Sequence, residues 1–193
     1  GRPVESAVIS VDIGGTEIKG GLVGLDEAGK PVRVLKTVRQ TTVRMSMRKF
    51  YAAIADLAAG FARAARQENI PLRPIVFVGQ LGTFYKDGSL KRLVGVKKVW
   101  TDAARFADKE VHPARVIRRI LEKKYGMKNF KVIAGNDSSA WTLFIVHHLL
   151  EYLPRGRRPW LRGQKVAAVI LGTRLGFGVI RALSEDLGIK DIV

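Results

Sequence analysis

Apolar residues recur along this chain in two periods, and the switches between them mark out its elements. Ala7 to Ile13 is a β-rich apolar run that ends at Gly14-Gly15-Thr16. A second apolar run, Ile18 to Leu25, follows at once, so the two predict a hairpin closed by a glycine turn. Asp26-Glu27-Ala28-Gly29-Lys30 is a cluster of turn formers, and Val32 to Val38 predicts a third strand. From Ser46 to Gln67 the period changes. Phe50, Ile54, Leu57 and Phe61 recur at spacings of four, three and four, which is one face of a helix, with Ser46 as its cap. Ile75-Val76-Phe77-Val78, bounded by Pro74 and Gly79, reads as a short buried strand.

Past a loop region, Val116, Ile117, Ile120 and Leu121 mark a second amphipathic helix, with Pro113 in its first turn and Gly126 at its C-terminal cap. Lys131 to Ala134 is a strand. Asn136-Asp137-Ser138 then offers three caps for a helix from Trp141 to Tyr152, which Pro154 ends. Val166 to Leu171 and Phe177 to Leu183 predict a last strand pair around a glycine turn. This order is α/β, with a mixed sheet that begins as an antiparallel meander. The two ends of the chain also repeat. Setting Gly15-Thr16 over Gly172-Thr173 superposes the apolar strands on both sides, with Gly21 on Gly178 and Leu22-Val23 on Val179-Ile180. The repeat predicts an N-terminal lobe over residues 1–135 and a partial, duplicated lobe over 136–193, their two glycine turns aimed into one cleft.

Composition narrows the partners. The 193 residues hold 34 Lys plus Arg against 17 Asp plus Glu, a formal net charge of +17, while a hydrophobic fraction of 47% argues against wholesale disorder. No apolar run nears the ~18 residues that cross a bilayer, so no membrane partner is expected. The absence of Cys excludes disulfides, thiol catalysis and Cys-ligated zinc. The start at Gly1 carries no signal pattern and no initiator methionine, reading as a processed or cloned beginning, and the expected location is cytoplasmic. Between Pro31 and Val99 fourteen basic residues face three acidic ones (Asp56, Glu68, Asp87), and Arg155 to Lys165 forms a second basic cluster. Such a surface either is simply solvated or attracts polyanions such as phosphate chains, nucleic acid or anionic lipid. Nucleic acid ranks last, because no aromatics interleave a basic strand face.

The chemistry these pieces allow centres on phosphate. Glycine turns between strands let backbone N–H groups approach phosphate oxygens, and Thr16 and Thr173 add hydroxyl donors. Asp12, ending the first strand, can hold Mg²⁺ through water. Read without this context, each hairpin is an ordinary turn. Asp137 follows a strand and opens a helix, at the carboxyl end where α/β proteins place ligands. It reads either as a helix cap or as a carboxylate that accepts a hydroxyl proton during phosphoryl transfer. His147 and His148 diverge by about 100° on one helix, which makes them poor joint metal ligands.

Taken together, Val11-Asp12-Ile13-Gly14-Gly15-Thr16, Asn136-Asp137 before a helix, and Leu171-Gly172-Thr173 with Gly176 and Gly178 resemble the motifs of the ROK sugar kinases, of the actin/hexokinase-like superfamily. The stretch Gly79-Gln80-Leu81-Gly82, then Tyr85-Lys86-Asp87-Gly88 and Trp100-Thr101-Asp102, is most similar to the polyphosphate glucokinases. The resemblance implies a ribonuclease H-like (actin-like ATPase) fold. It further implies a kinase that moves a phosphoryl group from ATP or polyphosphate, with Mg²⁺, to a glucose-like hexose. Asp137 would be the general base and Asn136 a sugar ligand. Asp12, Gly14, Gly15 and Thr16 would hold phosphate and metal, and Gly172 and Thr173 the second phosphate loop. Leu81 stands where the family carries Pro, Gly95 where it carries a sugar-binding Asn, and Arg174 where it carries Gly. The family's Glu-x-Gly-His segment and Cys/His zinc motif would lie past Val193, implying a truncated chain. The lost sugar ligands and the missing half-lobe motivate an alternative, a non-catalytic sugar- or polyanion-binding protein with a degenerate kinase fold. An open lobe with an exposed sheet edge is also expected to self-associate as a homo-oligomer.

Overall fold

The structure, a computed structural model, describes residues 3–14, 17–41, 44–80, 82–85, 87–92, 99–106, 109–137, 166–171 and 175–180. The chain divides into two compact units, Gly1–Gly135 and Asn136–Val193.

The first unit is built on the predicted meander. Strand β1 (Ser6–Ile13) pairs antiparallel with β2 (Glu17–Leu25), which pairs antiparallel with β3 (Pro31–Thr41). Strand β4 (Leu72–Gln80) adds to the other side of β1 in parallel, and β7 (Lys131–Asn136) completes the sheet order β3-β2-β1-β4-β7. Side chains alternate across β1. Ala7, Ile9, Val11 and Ile13 are buried against the helical layer, while Ser6, Val8, Ser10 and Asp12 are half-buried on the opposite face.

Helix α1 (Met47–Gln67) covers the buried face with an unusually small-residue stripe, Ala55, Ala58, Ala59, Ala64 and Ala65, which lets helix and sheet approach closely. At Gly20 the approach is so close that a Cβ would lie 2.6 Å from Phe61 Cε2. Two side chains cap the start of α1. Ser46 accepts from Lys49 N at 3.4 Å, as predicted, and the distant Asp102 Oδ1 accepts from Met47 N at a tighter 2.8 Å. Trp100, 1% exposed, anchors that end of the core through edge-on contacts with Phe50, Tyr51 and Phe106. Helix α2 (Pro113–Tyr125) begins with Pro113 and ends at Gly126 in the left-handed conformation (φ 68°), both as predicted. It is fastened to α1 by Ile117 and Leu121, and by Lys124 and the Tyr125 hydroxyl on Asp56.

Several expectations are corrected. Strand β3 runs three residues past Val38, because β2 offers partners as far as Glu17. Strand β4 is not confined to 75–78. It passes through Pro74, whose missing N–H is absorbed where the β1–β4 register shifts between Ala7 and Ile9. The loop region contains a small hairpin, β5 (Thr83–Phe84) with β6 (Leu90–Arg92), and a 3₁₀ turn over Ala103–Phe106. Asn136 is the last residue of β7 and directly precedes Asp137, the first residue in helical conformation. The helix expected over 141–152 lies outside the described residues.

In the second unit, β8 (Val166–Leu171) and β9 (Leu175–Ile180) form an antiparallel hairpin. The first of these strands has its predicted bounds. The second begins two residues before Phe177 and is described only to Ile180. A strand–turn–strand unit therefore occurs at both ends of the chain, with one difference of register. Residues 14–17 separate the last paired residues of β1–β2, Ile13 and Ile18, whereas residues 172–174 separate Leu171 from Leu175. The sequence superposition of Gly21 on Gly178 is thus displaced by one position in the ladder: Gly21 opposes Ser10, but Gly178 opposes Ala168.

Candidate functional site at the β1 carboxyl end

Parallel pairing brings the carboxyl ends of β1 and β4 side by side, with Asp12 opposite Gly79 and Ile13 opposite Gln80. In α/β sheets this edge is where ligands are held, because loops there are free of the packing that fixes the strands. Asp12 is half-buried on the face away from α1, and its antiparallel partner is Lys19. The turn that follows is tight: the Gly14 N–H donates to the Glu17 carbonyl at 2.8 Å. Gly15 and Thr16 lie outside the described residues. Past the end of β4, Gly82 has φ 135°, a conformation L side chains rarely adopt.

Beneath this edge the sheet holds a polar cluster that sequence reading missed. Gln80 continues the buried alternation of Val76 and Val78 and is 1% exposed. It accepts from the Tyr51 hydroxyl through Oε1 at 3.4 Å, while its Nε2 and Trp100 Nε1 are buried with no hydrogen-bond partner among the described residues. Burial pushes the Tyr51 phenol well above its ordinary value, with the Gln80 hydrogen bond acting weakly the other way, so it is a neutral donor. The spacing of two from Val78 was the available signal for Gln80.

Asn136 and Asp137 stand where a strand passes into helix, both half-buried, and Asp137 already has helical conformation. Gly172 and Thr173 lie outside the described residues, although the strands flanking them, β8 and β9, are present. Gly176 and Gly178 both lie in β9.

Two other features stand away from the predicted residues. Asp87, Glu110 and His112 place one ligand atom each within 4.8 Å of one another, a metal-capable set among the described residues that does not include Asp12. These groups already satisfy one another. His112 Nε2 lies 3.1 Å from Glu110 Oε1, and the Ser89 backbone N–H and hydroxyl hold the Asp87 carboxyl below its ordinary range, helped by Glu110 and His112. The His-Pro step before α2 was the sequence signal for this cluster. A groove of about 400 Å³ between β3 and α1 is lined by Lys36, Val38, Gln40, Leu57 and Phe61 among others, and contains none of the predicted site residues. Among the described residues no helix is long and apolar enough to cross a membrane.

No protein-family model and no curated protein sequence matches the chain. Solved structures do. An inorganic polyphosphate/ATP-glucomannokinase from Arthrobacter sp. strain KM is similar over 92% of this chain and 59% of its own, with a TM-score of 0.56 at 22% identity. A ROK-family glucokinase from Streptomyces griseus, in complex with glucose and AMPPNP, is similar over 93% of this chain and 46% of its own (TM-score 0.52, 24% identity). A ROK-family transcriptional regulator, a homologue of the E. coli MLC protein, covers 98% of this chain and 38% of its own (TM-score 0.61, 12% identity). The chain thus spans between about two-fifths and three-fifths of the length of these structures. Its fold is that of the ROK sugar kinases, an α/β mixed sheet of the ribonuclease H-like, actin-like ATPase class.

Proposed function

We propose that this chain is the part of a ROK-type sugar kinase that carries its first phosphate turn and its catalytic base. The kinase transfers a phosphoryl group from ATP or polyphosphate to a hexose hydroxyl. The observation that carries this reading is the Asp12–Gly14 turn, closed by the Gly14–Glu17 hydrogen bond at the carboxyl end of β1. The Gly14 N–H is taken by Glu17, so this reading assigns phosphate donation to the N–H groups that follow it, where glycine at 15 carries no Cβ to shield them. Asp12, an oxygen donor beside that turn, fits Mg²⁺ held through water, and a bound Mg²⁺ neutralises phosphate charge. Gly172 and Thr173 contribute the second phosphate loop.

Asp137 is the general base in this reading, with Asn136 hydrogen-bonding a neighbouring sugar hydroxyl. As the acceptor oxygen attacks phosphorus, its O–H bond breaks and the proton passes to the Asp137 carboxylate. The new P–O bond forms as the old phosphoanhydride bond breaks, and its electron pair leaves with the shortened donor. Positioned bases contribute about 10²–10⁴-fold in such steps. A cytoplasmic setting goes with this activity, and β3, an edge strand among the described residues, supports self-association.

The test is a coupled assay for glucose phosphorylation by the protein expressed from its complete reading frame, with ATP and polyphosphate supplied separately. Turnover with either donor, lost about 10²–10⁴-fold in kcat on Asp137→Asn, is the expected result. Failure of both donors overturns the proposal. The likeness to a transcriptional regulator favours one alternative, a degenerate kinase fold that binds sugar or polyanion without turnover. That alternative requires ligand-induced thermal stabilisation, scaling as RT ln(1 + [L]/Kd), with no phosphorylated product.

A further inference from the structure

Two cations beside Asp12 have no role in the reading above. Antiparallel pairing sets Lys19 opposite Asp12, and Arg39 opposite Lys19. Directly opposed residues share a face, so all three side chains leave the sheet on the side away from α1. Lys19 and Arg39 are exposed, and among the described residues neither forms an ion pair. Glu17 is on the same face but opposes Thr41, also without an ion pair among those residues. Like charges directly opposed across strands repel, and an anion between them would turn that repulsion into attraction.

The neighbouring row has the matching floor. It runs Thr37–Gly21–Ser10, two hydroxyls flanking a glycine, and a Cβ at Gly21 would meet nothing nearer than 3.9 Å. Hydroxyl donors over a low glycine floor, beside a planar guanidinium and a mobile ammonium, make a surface suited to phosphate oxygens. Arg offers paired donors there and Lys a compact charge.

We propose that Lys19 and Arg39, with the Ser10–Gly21–Thr37 row, form a subsite for a linear phosphate chain, continuing the donor path outward from the Asp12–Gly14 turn. The inference rests on the kinase reading for its purpose, but the subsite binds its ligand whether or not turnover follows. The triphosphate tail of ATP and inorganic oligophosphate share this chemistry.

The experiment is equilibrium calorimetry of tripolyphosphate, long-chain polyphosphate and ATP binding to the full chain. It compares wild type, Lys19→Ala, Arg39→Ala, the double variant, and Arg115→Ala as an exposed cation on α2. The double variant is expected to weaken phosphate-chain binding about ten- to a hundredfold and to flatten its salt dependence, because fewer counterions are released. Arg115→Ala should do neither, and all variants should keep the wild-type melting temperature. Equal losses for ATP and tripolyphosphate assign the subsite to a triphosphate tail; a loss confined to the long chain assigns it to inorganic polyphosphate. Unchanged affinity in the double variant, an equal loss in Arg115→Ala, or no phosphate-chain binding by wild type overturns the proposal. Binding that depends on Lys19 and Arg39 without sugar phosphorylation leaves the subsite standing and removes the kinase reading. Phosphorylation with unchanged donor affinity in the double variant does the reverse.

Discussion

Gly20→Ala tests whether the site-bearing strand is seated against α1 as described. The added Cβ would meet Phe61 Cε2 at 2.6 Å and Cζ at 3.1 Å, so something must move by several tenths of an ångström. Gly20 is buried between Val11 of β1 and Val38 of β3, which leaves the strand little freedom. The Phe61 ring has some, because it also borders the groove between β3 and α1. That room keeps the cost near the lower end of the overpacking range, about 1–2 kcal/mol. Replacing glycine lowers the entropy of the unfolded chain and returns roughly 0.4–1 kcal/mol. The net loss is then about 0.5–1.5 kcal/mol, and at roughly 2–4 °C per kcal/mol the melting temperature falls by about 1–6 °C. Urea denaturation followed by circular dichroism measures this directly. Gly20→Val should cost more than Gly20→Ala, and Phe61→Leu should be less harmful in the Ala background than alone, a coupling of at least about 0.5 kcal/mol. An alanine variant as stable as wild type, or strict additivity with Phe61→Leu, would refute the packing argument.

Asp102→Ala removes the 2.8 Å acceptor of Met47 N and should cost about 0.5–2 kcal/mol in urea denaturation, whereas Ser46→Ala, losing a bond of 3.4 Å, should cost less. Tyr51 stays neutral in the folded protein at pH values where it ionises in the unfolded chain, so stability falls as pH rises above about 10. Tyr51→Phe should flatten that alkaline decline, which melting temperatures measured across pH 8–11 will show; an unchanged slope would mean that Tyr51 is not the group responsible. Asp137→Asn in the coupled assay should remove turnover while sugar-induced thermal stabilisation persists.

Elements whose signal is local were legible in advance. The alternation of β1, the four-three-four spacing on α1, and the pairing of Pro113 with Gly126 at the two ends of α2 need no distant partner to be recognised. The candidate site was legible only in part. Asp12 and Gly14 announced themselves by a turn motif, and Asp137 by its place between strand and helix. Lys19 and Arg39 read simply as two more cations in a chain of net charge +17 until pairing put them in one row. Gln80, a polar residue after an apolar run, read only as part of the Gly79-Gln80-Leu81-Gly82 stretch, yet it is sealed under Tyr51.

The sequence by itself determined the order of the longer strands and helices among the described residues and the excess of positive charge. Each of these follows from backbone preferences and side-chain periods that act within a few residues. Only the tertiary structure decided that β4 would run through Pro74, that Asp102 would cap a helix beginning at Met47, and that the two end hairpins would differ by one step of register. Those outcomes depend on hydrogen bonds and contacts between segments far apart in the chain. Which partner wins there is set by how the whole sheet and its covering helix pack together, and no local pattern carries that information.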